Sequence, residues 1–141
     1  MVTPAELDAF LARGFPEIAT GDISVARLAD HELDLVLRVK SYHLRPGGTV
    51  SGPTLMMMAD TATWLALAAQ LGPEAAVGAV TTSLSMHFLR RPPHADLLAR
   101  ARLLKVGRRL CVAEVAIHAA AAAEGEPVAH ATVTYARAEG S

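Results

Sequence analysis

The chain has 141 residues, 52% of them apolar and only 4% aromatic, and its thirteen Lys or Arg against fourteen Asp or Glu leave a net charge of -1. That length suits one domain with a real core, and the near-neutral balance argues against a nucleic-acid or membrane-surface footprint. Cys111 is the single cysteine, which excludes an internal disulfide framework and a cysteine metal site.

Thr3-Pro4-Ala5-Glu6 reads as a capping box with proline at the first helical position. A short helix follows, with Leu7, Phe10 and Leu11 on one face and an end near Gly14. Residues 1–20 read as a helical extension of one domain spanning 1–141. From Glu32 to Lys40 the sequence alternates, Leu33, Leu35, Leu37 and Val39 on one side and Glu32, Asp34 and Arg38 mostly on the other, which predicts a half-buried strand. The stretch from Ile23 to Leu28 is its hairpin partner. A loop through Arg45-Pro46-Gly47-Gly48 leads to Ser51 or Gly52 as a helix cap, with Pro53 at the first position.

The helix from Pro53 to Leu71, ended by Gly72-Pro73, is the most informative element. It holds no Lys, Arg, Glu or His, and Asp60 is its only charge. A helix apolar on every side is wrapped by other structure, and a carboxylate inside it must be paired, hydrogen-bonded or protonated. Asp60 and the early proline argue against a membrane span. Strands then fill the remainder: Val80 to Phe88, Leu97 to Leu104, Leu110 to His118 and Val128 to Arg137. In the first of these Val80, Leu84, Met86 and Phe88 share one face, and Thr81, Ser83, Ser85 and His87 the other. Lys105 to Arg109 is a hairpin turn, and Ala119 to Glu126 is a low-complexity loop. The expected fold is α+β, with an antiparallel sheet of five or six strands curled around one buried helix.

Two readings of Asp60 stand side by side: a structural carboxylate held by a hydroxyl or amide, or a group that activates water or attacks a carbonyl. Free N–H groups near Gly52 and Thr54, at a helix N-terminus, suit a developing oxyanion. Gly52 and Asp60 are eight residues apart, roughly 12 Å along the axis, so one helix cannot bring both to one carbonyl. Two antiparallel helices in a dimer could, and a mean hydropathy of +0.30 suggests burial between copies as well as within one. Ser51 reads as a cap, since a serine nucleophile needs a paired base and no His is placed to serve. Arg45 is either a clamp for a polar acyl group or a solvated loop side chain. Met56, Met57 and Met58 either shape an acyl tunnel or pack the core. The six histidines show no metal-ligand spacing, and no cofactor is expected. His87 shares the predicted face of Thr81. The N-terminus shows no basic stretch before an apolar run, so the cytoplasm is the expected compartment.

The run from Arg45 to Ala62, Arg-Pro-Gly-Gly-Thr-Val-Ser-Gly-Pro-Thr-Leu-Met-Met-Met-Ala-Asp-Thr-Ala, resembles the hotdog-fold acyl-CoA thioesterases of the phenylacetate-degradation (PaaI-like) type. That family shows Asn, a Gly-containing loop, His-Gly-Gly, and an Asp nine residues after the His. Here Asp60 stands nine after Ser51, and Gly52 matches the first Gly. The family's His is Ser51, its Asn falls at Arg45, and its second Gly is Pro53. The likeness extends over roughly residues 30 to 137, including Phe88-Leu89-Arg90-Arg91-Pro92 and the Gly107-Arg108-Arg109 turn. It implies an acyl-CoA substrate, a site between subunits of a dimer or tetramer, Thr81 helping to orient water, and Arg90, Arg108 and Arg109 near the CoA phosphates. Two rivals remain: a hydratase or dehydratase of the same fold, which needs a placed His, and a binding protein that kept the pocket and lost turnover.

Overall fold

The computed structural model describes residues 2–138. Helix α1 (Pro4–Gly14) has the capping box in full: Thr3 Oγ1 accepts from the Glu6 N–H, and the Glu6 carboxylate accepts from the Thr3 N–H. Such a cap stabilises a helix by typically about 1 kcal/mol. Leu7, Phe10 and Leu11 are buried. Strands β1 (Ile23–Ala29) and β2 (Glu32–Leu37) form the expected hairpin, with β2 ending three residues earlier than the alternation suggested.

Helix α2 (Gly52–Leu71) is capped by Ser51 and closed at Gly72. Gly72 has φ +98°, in the region that favours glycine, and this lets the chain turn at once into α3 (Pro73–Gly78). The short helix α3 was not anticipated, because Gly72-Pro73 reads as a stop and Pro73 also starts a helix well. Strands β3 (Val80–Phe88), β4 (Leu97–Val106), β5 (Leu110–Ala119) and β6 (Ala129–Ala136) complete the chain, with a 3₁₀ turn at Ala120–Ala122 inside the alanine-rich loop.

All pairings are antiparallel, and the six strands lie in the order β1-β2-β4-β5-β6-β3. The helix α2 packs across one face of this sheet. Leu33, Leu35 and Leu37 from β2, Ala99 and Ala101 from β4, Val115 and Ile117 from β5, and Ala131 and Val133 from β6 meet its Leu55, Met58, Ala62 and Leu65. Each fully buried leucine contributes roughly 1.5–3 kcal/mol relative to exposure. The sheet supplies many small residues here, which lets the helix approach closely. Trp64 closes the far side of α2, stacked on Phe10 at 4.6 Å and donating from Nε1 to the Ala76 carbonyl at 2.8 Å. No helix among the described residues is long and apolar enough to cross a membrane.

Two side chains depart from the expected faces. Asp34, assigned by alternation to the solvent side of β2, is only 3% exposed. It lies on the outer sheet face between two guanidinium groups, with Arg27 Nε at 3.0 Å and Arg100 Nε at 3.2 Å. Their hydrogen bonds to Asp34 hold both arginines above their ordinary range. The second is Thr81. The β3–β6 register shifts between Thr81 and Ser83, so this β-bulge turns Thr81 onto the face of Leu84 and Met86, toward α2. His87 pairs with His130 on the opposite, outer face, so the expected common face for Thr81 and His87 does not form.

Candidate active site

Asp60 lies two turns into α2 and is half-buried, where the helix crosses the start of β3 and the end of β6. Two hydroxyls converge on one of its oxygens. Thr81 Oγ1 donates to Asp60 Oδ1 at 2.8 Å, and Tyr135 donates from its phenol to the same atom at 2.7 Å. A carboxylate only accepts, so both hydroxyls are donors. No donor among the described residues engages Oδ2. Tyr135 is 4% exposed, and burial, reinforced by its bond to Asp60, pushes its phenol well above the ordinary tyrosine range.

Tyr135 is the site residue that sequence reasoning missed. The only available signal was its alternation with Val133 and Ala131, which marks it as core-facing and says nothing of its partner. Its meeting with Asp60 spans 75 positions of sequence.

The N-terminus of α2 forms a second locus. Ser51 Oγ accepts from the Thr54 N–H at 3.3 Å and lies 2.8 Å from Thr54 Oγ1, so Ser51 is a cap. Thr54 is thereby removed from the free donors that the sequence suggested. Pro53 has none to give, and Gly52 holds the first-turn N–H without an acceptor among the described residues. A Cβ on Gly52 would lie 3.5 Å from the Phe88 ring, which places this helix end against the end of β3. Asp60 meets the start of that strand. Gly52 and Asp60 therefore sit toward opposite ends of β3 within one chain.

His43 was not anticipated beside the helix. It is buried beneath the α2 entry, where its carbonyl accepts from the Ser51 N–H at 2.9 Å and from Thr54 Oγ1 at 3.4 Å. Its Nδ1 accepts from the Lys40 N–H at 2.8 Å, and its Nε2 is 3.8 Å from the buried Asp22 carboxylate. Both ring nitrogens are committed inward, so His43 buttresses the loop and offers no proton outward. The Tyr42 and Thr20 hydroxyls hold the Asp22 carboxyl below its ordinary range, and the same bond raises Tyr42.

Four remaining candidates are dispersed. Arg45 is exposed in the loop closed by the Leu44–Val50 bridge, and its N–H donates to the Thr49 carbonyl at 2.9 Å. Arg90 is bound to Glu126 at 2.5 Å and to the Pro127 carbonyl at 2.7 Å, at the Gly52 end of β3. Arg108 and Arg109 are exposed on the β4–β5 turn. Tyr135 pairs with Thr81 on one side and Cys111 on the other, which puts that turn at the Asp60 end of the sheet. Burial pushes the Cys111 thiol up, in keeping with an inert core cysteine. No three His, Cys, Asp or Glu among the described residues are grouped to hold a metal ion.

A family model, the thioesterase superfamily, matches residues 47–126, the span that carries Gly52, Asp60 and Thr81. The chain belongs to the thioesterase superfamily. Among solved structures it is similar to a candidate thioesterase from a Silicibacter species, at 42% identity over 97% of this chain and 92% of that one, with TM-score 0.86. It is also similar to a mutant of the phenylacetic acid degradation protein PaaI from Thermus thermophilus, at 30% identity over 86% and 98%, with TM-score 0.70. Zebrafish thioesterase superfamily member 2 shares the fold at 21% identity over 96% and 99%, with TM-score 0.83. No curated protein matches. The expected hotdog fold is the one observed, and the protein is a PaaI-like thioester hydrolase.

Both tyrosines are held above the ordinary phenol range. The folded state therefore keeps protons that the unfolded chain releases near pH 10. The associated stability is complete below about pH 10 and is lost as pH climbs toward the raised folded values. Native protein at about pH 10, where half of free tyrosine is ionised, should show less tyrosinate absorbance than the denatured chain at the same pH, with Tyr135 contributing most of the difference. A full tyrosinate signal from the native protein would contradict the Asp60–Tyr135 and Asp22–Tyr42 bonds.

Proposed function

We propose that the protein hydrolyses an acyl-CoA to free acid and CoA at a site built between two copies of the chain, and that it acts in the cytoplasm. Asp60 activates water, and the Gly52 N–H of the other copy receives the developing oxyanion. The observation that carries this reading is the state of Asp60: one oxygen anchored by two hydroxyls, the other without a donor among the described residues.

The two-copy arrangement is supported by the β3 edge. This strand is outermost in the sheet, and Val80, Phe88 and Leu89 are 60%, 54% and 50% exposed. An open edge with apolar side chains is a template for pairing. A two-fold pairing requires the strands to run antiparallel, and we place its centre near Leu84 and Ser85. Thr81 of one copy then lies opposite Phe88 of the other, which brings one Asp60 beside the other copy's Gly52. A pair of such dimers makes the tetramer that the family resemblance implies.

In the reaction, water attacks the thioester carbonyl carbon while its proton passes to Asp60 Oδ2. Negative charge builds on the carbonyl oxygen, where a helix N-terminus is worth most. Collapse breaks the C–S bond, and the thiolate leaves with the proton from Asp60. Thr81 holds the base, while Ser51 and Thr54 shape the helix entry that presents Gly52. Arg45 and Arg90, at that same entry, meet the polar parts of the substrate. Arg108 and Arg109 meet the CoA phosphates, for which the guanidinium fork is suited.

Asp60→Asn keeps shape and hydrogen bonding and removes the base. A general base contributes typically about 10²–10⁴-fold, so kcat for thiol release from acyl-CoA should fall by that much with the fold intact. Near wild-type hydrolysis by this variant would reject the role of Asp60. A wild-type protein that CoA esters protect against heat, yet that releases no thiol, would replace hydrolysis by binding.

Light scattering at micromolar concentration should give a dimer or larger assembly. A stable monomer would reject the shared site.

Changing Arg108 and Arg109 together to Ala should raise KM for acyl-CoA far more than for a truncated pantetheine thioester. Equal effects on the two substrates would remove these arginines from the phosphate site.

A further inference from the structure

The interior holds a polar group, beside the proposed base, whose role the reaction scheme leaves open. Tyr135 is buried beneath α2 with its hydroxyl on Asp60, and the phenol also lies 3.3 Å from the Asp60 backbone carbonyl. A buried phenol needs one acceptor, and that carbonyl alone offers one. The sheet nonetheless spends a β-bulge to bring a second hydroxyl to the same carboxylate oxygen. Thr81 and Tyr135 are cross-strand partners, so the two donors leave adjacent strands side by side. Without the register shift at Thr81 its hydroxyl would face away from the helix.

We propose that Tyr135 is a positioning residue for hydrolysis, acting with Thr81 as a two-point clamp on Asp60 Oδ1 so that Oδ2 alone is presented to water. The proposal rests on Asp60 being the base. The terminal torsion of an aspartate is broad and roughly two-fold, so an unclamped carboxylate would sample orientations that exchange its oxygens. Two hydroxyls anchored on a rigid sheet remove that freedom before substrate arrives, at no cost during the reaction. Burial keeps the phenol protonated, so Tyr135 remains a donor wherever the chain is folded. Tyr135 sits behind Asp60, buried on the sheet side, while Thr81 holds the same oxygen from the exposed start of β3.

Tyr135→Phe retains the ring and its packing and deletes only the donor. Its kcat for thiol release should drop about 10- to 100-fold, the scale of a misplaced catalytic group, while KM for acyl-CoA stays constant. Thr81→Val should act in the same direction, and Thr81→Ser should restore kcat. In the double variant the two losses should not add, because both donors serve one atom. A folded Tyr135→Phe with wild-type kcat overturns the proposal, as does a rise in KM at constant kcat, which would make the phenol a binding group. Asp60→Asn run in parallel separates the two claims. If it loses turnover while Tyr135→Phe does not, only the clamp fails; if it keeps turnover, the base and the clamp fall together. Should Tyr135→Phe not fold, fluorotyrosine at position 135 keeps the hydroxyl and alters its donor strength. Its fluorine resonance should then shift in the Asp60→Asn background and kcat should change at constant KM, whereas an unchanged kcat overturns the clamp.

Discussion

A carboxylate with no cation on its own helix has to find its hydrogen bonds in the sheet, and that requirement organises this protein. The single charge of α2 stands at Asp60. The helix must lie so that Asp60 reaches the start of β3 and the end of β6, where Thr81 and Tyr135 wait. The apolar packing of α2 supplies the bulk of the stabilisation. It is non-directional, and a helix this uniformly apolar could be rotated about its axis at modest cost. The two hydroxyl bonds select one rotation.

The same economy appears at the other buried charges. Asp34 sits between Arg27 and Arg100 on the outer face, and Asp22 accepts from Tyr42 and Thr20 beside His43. Each follows the rule that a buried carboxylate is paired or hydrogen-bonded. Asp60 shares with Asp22 a pair of neutral hydroxyl donors on one oxygen, but it is half-buried where Asp22 is fully buried. Hydroxyl donors orient it and leave lone pairs available, which is what the proposed role of Asp60 as a base requires.

The helix entry follows a parallel logic. Ser51, which stands where the resembling family has His, takes up the Thr54 N–H, and His43 anchors both residues through its carbonyl. The departure from the family pattern thus leaves the α2 N-terminus ordered, with Gly52 still presenting its N–H. Its separation from Asp60 along one helix, together with the exposed β3 edge, favours completion of the site by a second copy.

The long apolar helix, its Ser51 cap, the six strands and the α1 capping box were legible because they rest on local periodicity and cap chemistry, which act within a few residues of sequence. Asp60 stood out for the same reason, as a charge in a run that has no other. The helix α3, the burial of Asp34 and the inward turn of Thr81 were not legible. Alternation predicts faces only while the register is unbroken, and one extra residue at the Thr81–Ser83 bulge reverses the face. Tyr135 was invisible as a site residue because its partner lies 75 residues away, and no pattern within a strand encodes which helix atom will rest above it. What the chain alone determined was which segments would be apolar and which group could do chemistry. Which hydroxyls would hold that group was decided only when helix and sheet closed on each other, since hydrogen-bond direction is set by three-dimensional register and not by sequence spacing.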